Sequence, residues 1–315
     1  MLHIVVAIIR DEQNRILIAQ RPSDKHQGGK WEFSGGKVEA EETAQQALRR
    51  EINEELGIQI ETIQPLIQIR HNYPDLAVFL DVYNVKQWRG EAYGKEGQVI
   101  RWVDIDALSH YRFPSANKAI IQALQLPDLC LITPDIVNDN EFKQGILNCL
   151  EKGVKLIQYR AKNTSESNYI KRAKWLSKQC EKYHCMLVLN SPPAALLSLA
   201  KQGLHLTSHQ LLALKQRPET LLLSAACHNE VELHKAQELG VDFVFLSPIK
   251  ATRSHPNAKG KGWQWFKQAV QKVNLPVYAL GGLGENHLLI AKENGAQGIA
   301  AISQLWDNSP FESNE

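Results

Sequence analysis

The segment GKVEAEETAQQALRREINEELGI, Gly36 to Ile58, decides how the first part of this chain reads. Thr43 can cap a helix there, and Gln46, three residues on, completes a capping box. Ala44, Leu48, Ile52 and Leu56 form an apolar stripe at i, i+4, and Gly57 fits the stop. The spacing therefore predicts a helix over 43–56. Glu51, Glu54 and Glu55 fall at i, i+3 and i+4, on one turn of one face. Like charges at that spacing cost roughly 0.2–0.5 kcal/mol per pair unless something positive compensates. A hard divalent cation with oxygen ligands, Mg²⁺ or Mn²⁺, is the natural compensator. Arg50 lies four residues before Glu54 and can orient a carboxylate through a charge-assisted hydrogen bond. Gly35 and Gly36 let the backbone bend tightly and approach a ligand. A solvated acidic helix is the plainer reading of the same residues.

Upstream of this helix, the β-branched run 2–9 and the run 15–19 across a turn suggest a hairpin. Downstream, strand-like runs at 66–69, 77–85 and 99–103 precede a helix over 116–124. The result is an α+β fold, a mixed sheet between helices. Near Leu126-Pro127-Asp128 the pattern changes. Apolar runs at 129–132, 155–158, 186–189, 204–206, 221–225, 243–246, 277–280 and 298–301 alternate with helical stretches such as 166–183, 230–239 and 262–273. Eight β/α units in this length predict a (β/α)₈ barrel, a TIM barrel, in preference to a doubly wound sheet. The expected organisation is a domain over 1–125, a linker at 126–128 and the barrel over 129–315.

Composition narrows the function classes. The 315 residues carry 36 basic and 34 acidic side chains, a net charge of +2, so no charge bias favours duplex nucleic acid. No stretch approaches the ~20 apolar residues of a membrane span. The five cysteines form no CxxC pair, which points away from a zinc site or disulfide framework and toward a reducing cytoplasm.

The helix segment fills every fixed position of the Nudix box, G-x5-E-x7-R-E-U-x-E-E-x-G-U, with Gly36, Glu42, Arg50, Glu51, Ile52, Glu54, Glu55, Gly57 and Ile58. The first part of the chain thus resembles the Nudix hydrolases. Within them it is similar to MutT-like enzymes through AQRP, KWEFSGGK, GEAYGKEGQ and FPSANKAI. The resemblance implies Mg²⁺-dependent hydrolysis of a nucleoside triphosphate, 8-oxo-dGTP to 8-oxo-dGMP and pyrophosphate. It implies Glu51, Glu54, Glu55 and Glu96 as metal-binding catalytic residues, with Glu42 and Arg50 supporting the architecture. Arg21, Phe33, Gly35, Gly36 and Asn117 fall where the family meets the nucleotide. An asparagine can read a base edge with both its donor and its acceptor. Read alone, Asn117 is also a helix cap, Phe33 a core aromatic and Glu96 a solvated loop charge. Ser34 stands where the family usually has proline, which predicts a looser loop.

The second part resembles the thiamine-phosphate synthase/TenI superfamily of (β/α)₈ barrels. The matching pieces are LITPD (131–135), QYRAK (158–162), Asn190, GLHL (203–206), SAACHNEVE (224–232), LSPIKATRSHP (246–256) and ALGGLGENH (279–287). They recur at strand C-termini, where barrel active sites lie. The resemblance implies a thiamine-related phosphate ligand, with Arg160 and Lys162 on pyrophosphate and Gly281-Gly282 cradling a phosphate. Ser191 and Gln210 replace two aspartates that hold Mg²⁺ in the synthases, so ordinary synthase turnover is not the leading expectation. Thiazole tautomerase chemistry with His228 as acid/base, synthase activity, and a non-catalytic phosphometabolite-binding module remain the alternatives.

Overall fold

The computed structural model describes residues 1–23, 27–251 and 259–306. Positions 252–256 of the LSPIKATRSHP motif and the C-terminal residues 307–315 lie outside them. The chain separates into two compact units, Met1–Gln125 and Leu126–Glu315.

The first unit contains β1 (Leu2–Ile8), β2 (Ile16–Gln20), β3 (Trp31–Glu32), β4 (Gly35–Lys37), α1 (Ala44–Leu56), β5 (Gln59–Asn72), β6 (Ala77–Arg89), β7 (Ile100–Val103) and α2 (Asn117–Gln125). One sheet runs β4-β1-β6-β5, with β1 and β6 parallel and the outer pairs antiparallel. A second runs β3-β2-β7. The alternation of β1 explains the layering. Val5 and Ala7 point to one face and pack with Ala47, Leu48, Ile52 and Leu56 of α1. Val6 and Ile8 point to the other and pack with Ala119, Ile120 and Ala123 of α2. The expected mixed sheet between helices is present. The expected hairpin forms only at its turn, through the antiparallel bridge of Arg10 with Ile16 and the bonds Leu17 N–H to Ile9 O and Asp11 N–H to Arg15 O, because β1 and β2 belong to different sheets. The turn is right, but β1 spends its hydrogen bonds on β4 and β6.

The second unit is a closed parallel barrel of eight strands in the order β10-β11-β12-β13-β14-β15-β8-β9. The strands are β8 (Leu129–Ile132), β9 (Leu156–Tyr159), β10 (Met186–Asn190), β11 (Gly203–Leu206), β12 (Leu222–Cys227), β13 (Phe243–Leu246), β14 (Val277–Leu280) and β15 (Gly298–Ala301). Around them lie α3 (Asp139–Glu151), α4 (Glu166–Lys182), α5 (Leu197–Ala200), α6 (Ser208–Ala213), α7 (Glu230–Leu239), α8 (Gly262–Val270), α9 (Leu288–Glu293) and α10 (Ser303–Trp306). Alternate strand residues fill the interior, among them Cys130, Ile132, Leu156, Val188, Phe243, Phe245 and Tyr278. Their neighbours form the larger cluster beneath the helices. His205 is a polar member of the fully buried set; its Nδ1 lies 2.8 Å from Ser224 Oγ and its ring stacks on Phe245. Residues 126–128, expected as a linker, are instead built into this unit. Leu126 is buried in the interior cluster, Gln297 donates to its carbonyl, and Tyr278 donates to that of Pro127.

Candidate functional sites

In the first unit the site is assembled by α1 and β4. The Thr43–Gln46 capping box forms as read, with Gln46 N–H on Thr43 Oγ1 at 3.3 Å and Thr43 N–H on Gln46 Oε1 at 2.8 Å. Gly57 ends α1 in the left-handed conformation. Strand β4 brings Gly35 and Gly36 under the last turns of this helix. A Cβ on Gly36 would lie 2.1 Å from the carboxyl carbon of Glu51, and one on Gly35 would lie 2.0 Å from Val5 O. Only glycines let the backbone come this close. Ser34, expected to loosen the loop, is tied to β1 through its backbone. Ser34 is buried and its carbonyl accepts from Ala7 N–H at 2.8 Å, so pairing with β1 does the work of the missing ring.

Arg50 organises the carboxylates. It donates to both oxygens of Glu42 (3.2 and 2.6 Å), to Glu51 (2.9 Å), to Glu54 (3.1 Å) and to the Lys37 carbonyl (3.0 Å). Its guanidinium holds the Glu42 carboxyl below the ordinary glutamate range. Glu55 is turned the other way and accepts from Gly35 N–H at 3.1 Å. Burial pushes the Glu55 carboxyl up to about 8, and the negative charges of Glu32, Glu51 and Glu96 add to this against the opposing Gly35 bond. The loop carrying Glu96 is pinned to the end of α1, since Lys95 N–H and the Gln98 amide both donate to Glu55 O at 2.9 Å.

The structure thus brings Glu51, Glu55 and Glu96 into one region around Gly35 and Gly36, with Glu54 joined to Glu51 through Arg50. It does not present a finished cage: among the described residues no three acidic, histidine or cysteine side chains converge as a preformed metal site. The cause is visible, because Arg50 draws Glu51 and Glu54 one way and Gly35 draws Glu55 another. Arg21, expected at the nucleotide, is ion-paired to Glu32. Phe33 is 3% exposed and stacked on Phe113 within the core, the place its reading as a core aromatic gives it. Asn117 is buried as the first residue of α2. Glu32 escaped the sequence reading. Its signal was its place in KWEF, three residues before Gly35.

In the barrel, a cavity of about 400 Å³ opens at the C-terminal ends of β9, β10 and β11. Arg160, Lys162, Glu166, Asn190, Ser191 and Thr207 line it. Arg160 and Lys162 therefore meet as expected. Asp135 holds their loop, accepting from Lys162 N–H at 2.8 Å and lying 3.8 Å from the Arg160 guanidinium. Ser191 and Gln210, at the two positions of substituted aspartates, touch each other at 3.4 Å. Gln210 Oε1 also caps α6 by accepting from Thr207 N–H at 2.9 Å. His228, Gly281 and Gly282 do not line this cavity. They follow β12 and β14. His228 Nδ1 lies 3.1 Å from Ser247 Oγ, and Gly281 and Gly282 take positive φ against the loop after β13.

Two family models match the chain, NUDIX domain over residues 5–123 and thiamine monophosphate synthase over 129–305. The 8-oxo-dGTP diphosphatase of Escherichia coli is 40% identical over 124 residues, 39% of this chain and 96% of that one. That of Proteus vulgaris is 44% identical over 96 residues, 30% of this chain and 86% of its own. A thiamine-phosphate synthase of Fusobacterium nucleatum is 30% identical over 171 residues, 53% of this chain and 83% of its own. The chain belongs to the Nudix family in its first unit and to the thiamine monophosphate synthase family in its second. The Nudix unit is a hydrolase domain, and its crowded carboxylates suit the divalent metals that Nudix hydrolases use. The synthase-family barrel has room and positive charge for a phosphate-bearing ligand. No helix among the described residues is long and apolar enough to cross a membrane.

Proposed function

We propose that residues 1–125 form a Mg²⁺-dependent pyrophosphohydrolase that converts 8-oxo-dGTP and water to 8-oxo-dGMP and pyrophosphate. The observation that carries this reading is the burial of Glu55, against Gly35 N–H and beside the negative charges of Glu32, Glu51 and Glu96, which leaves that side chain in want of positive charge. Glu51, Glu54, Glu55 and Glu96 would hold the cation, with Mn²⁺ as a substitute. When bound, the cation supplies charge neutralisation on the phosphates and a more acidic water. The chain's own groups do the rest. Arg50 fixes Glu51 and Glu54 relative to the loop through Glu42 and Lys37 O, and Gly35 N–H fixes one oxygen of Glu55. Glycine at 35 and 36 lets this backbone lie directly against Val5 O and the Glu51 carboxylate. Arg21 adds positive charge, and the Asn117 amide offers a donor and an acceptor to the purine edge. A site built to hydrogen-bond a group discriminates strongly against an analogue lacking it. The names of the two diphosphatase relatives support this choice of substrate.

The test is pyrophosphate release from 8-oxo-dGTP and dGTP, with and without Mg²⁺. Glu54→Gln is expected to lower the rate by about a hundredfold or more. Failure to hydrolyse any nucleoside triphosphate would overturn the reading, and equal kcat/KM for the two nucleotides would remove the oxidised base from it.

For the barrel, residues 129–315, we infer binding of a thiamine-related phosphate at Arg160 and Lys162, without a divalent clamp. The neutral Ser191–Gln210 pair favours this over synthase turnover. Thiazole-phosphate tautomerisation, with His228 as acid/base and Gly281-Gly282 at the phosphate, is the competing assignment. Assaying coupling and tautomerisation in the full chain carrying Glu54→Gln decides it, since turnover in either assay replaces binding with catalysis. Five cysteines without a disulfide and the nucleotide substrate support a cytoplasmic setting in this reading.

A further inference from the structure

A second cavity, of about 90 Å³, lies beside the barrel mouth under the loops that follow β8 and β9. It shares Ala161 and Thr164 with the mouth cavity but contains neither Lys162 nor Asn190. Tyr159, the last residue of β9, lines it. Its side chain is 0% exposed, and among the described residues its hydroxyl has no hydrogen-bond partner. A buried hydroxyl without a partner is a costly arrangement, and a native fold normally supplies one.

The chemistry around that hydroxyl restricts what could bind. Burial keeps the phenol neutral, raised to about 12, so it offers a proton. Arg172 also lines the space, but its guanidinium is committed. Nε donates to Asp139 at 2.7 Å, Nη1 to Ile136 O at 2.6 Å and Nη2 to Val137 O at 2.8 Å. The Asp135 carboxylate opposes an anion. Arg172 opposes a cation. Ile136, Val137, Phe142 and Ala161 supply apolar wall. The surrounding loops are braced, because Thr133 Oγ1 bonds both the N–H and the carbonyl of Arg160 and Asp135 holds Lys162 N–H. The space is too small for a nucleoside.

We infer that this cavity is a binding site for a small uncharged molecule with one hydrogen-bond acceptor, which accepts from Tyr159 and packs its apolar body against Ile136 and Phe142.

Cyclopentanone is a suitable probe and cyclopentane its control without an acceptor, titrated into the full-length protein by ligand-observed NMR. Saturable binding of cyclopentanone is expected. Tyr159→Phe keeps the ring and removes only an unpartnered oxygen, so it should fold as the wild type. It should weaken cyclopentanone about three- to tenfold, the worth of one hydrogen bond, and leave cyclopentane unchanged. Ala161→Val, which fills part of the space, should weaken both. The inference is overturned by absence of saturable binding, by equal cyclopentanone affinity in Tyr159→Phe, or by a crystal structure in which ordered waters alone satisfy the tyrosine.

Discussion

Replacing Glu55 with glutamine should make the metal-free Nudix unit more stable while removing its activity. The carboxyl rises from 4.5 to about 8 on folding, first through burial and then through Glu32, Glu51 and Glu96. Below pH 4.5 the folded and unfolded chains are both protonated at this position, and it contributes nothing. As pH climbs from 4.5 to 8 the unfolded chain gives up the proton while the folded one keeps it, so stability is lost across that window and the loss levels off above 8. At about 1.4 kcal/mol per pH unit the ceiling is ~5 kcal/mol, and water around a half-buried group reduces it to roughly 2 kcal/mol. Glutamine keeps the Gly35 hydrogen bond and carries no charge. Hydrogen exchange of peptides from α1, in excess chelator, reads the effect locally without assigning the two units' melting transitions. Glu55→Gln should slow exchange relative to wild type at pH 8, and the two should coincide near pH 4.5. Protection at pH 8 equal to or below that of wild type would show that the crowding is relieved by other means, and the electrostatic argument for the cation would fall.

Gly36→Ala puts a methyl where the Glu51 carboxylate lies, so it should cut hydrolysis by at least tenfold while circular dichroism keeps the native spectrum; unchanged kcat/KM would contradict that packing. In the barrel, burial lowers His205 to about 3, so the unfolded chain gains a proton the folded one refuses as pH falls from 6.5 to 3. Stability should drop across that window by up to about 5 kcal/mol, and His205→Gln should flatten an acid-unfolding curve followed by hydrogen exchange of β11. Ser191→Asp combined with Gln210→Asp should create Mg²⁺ dependence in the binding of inorganic pyrophosphate by the Glu54→Gln chain, measured by calorimetry. Wild-type residues at 191 and 210 should show none.

Local signals in the sequence carried most of the fold. The capping box, the apolar stripe and Gly57 act within one helix, so α1 could be read to within a residue. The barrel strands were legible because each is a short apolar run bounded by helical pattern. What failed was pairing: nothing local says that Ile4, Val5 and Val6 hydrogen-bond to Lys37, Gly36 and Gly35 in preference to β2. The site divides the same way. The glutamate triad is fixed by helical spacing, but the direction of each carboxylate depends on Arg50 and Gly35, which act across elements. The stacking of Phe33 could not be read locally, because its partner, Phe113, lies eighty residues away. Likewise the contact between Ser191 and Gln210 needs the closure of β10 against β11 to exist.

The hydrogen bonds of Arg50 have an evolutionary corollary. One side chain ties the loop, the strand end and three carboxylates together, so a drifting sequence can lose the site at a single codon while keeping its charge. Lysine would preserve the electrostatics but offers one point in place of a planar fork, leaving Glu42, Glu51 and Glu54 to compete for it. Tolerance to substitution at position 50 should therefore be narrow, with lysine no exception.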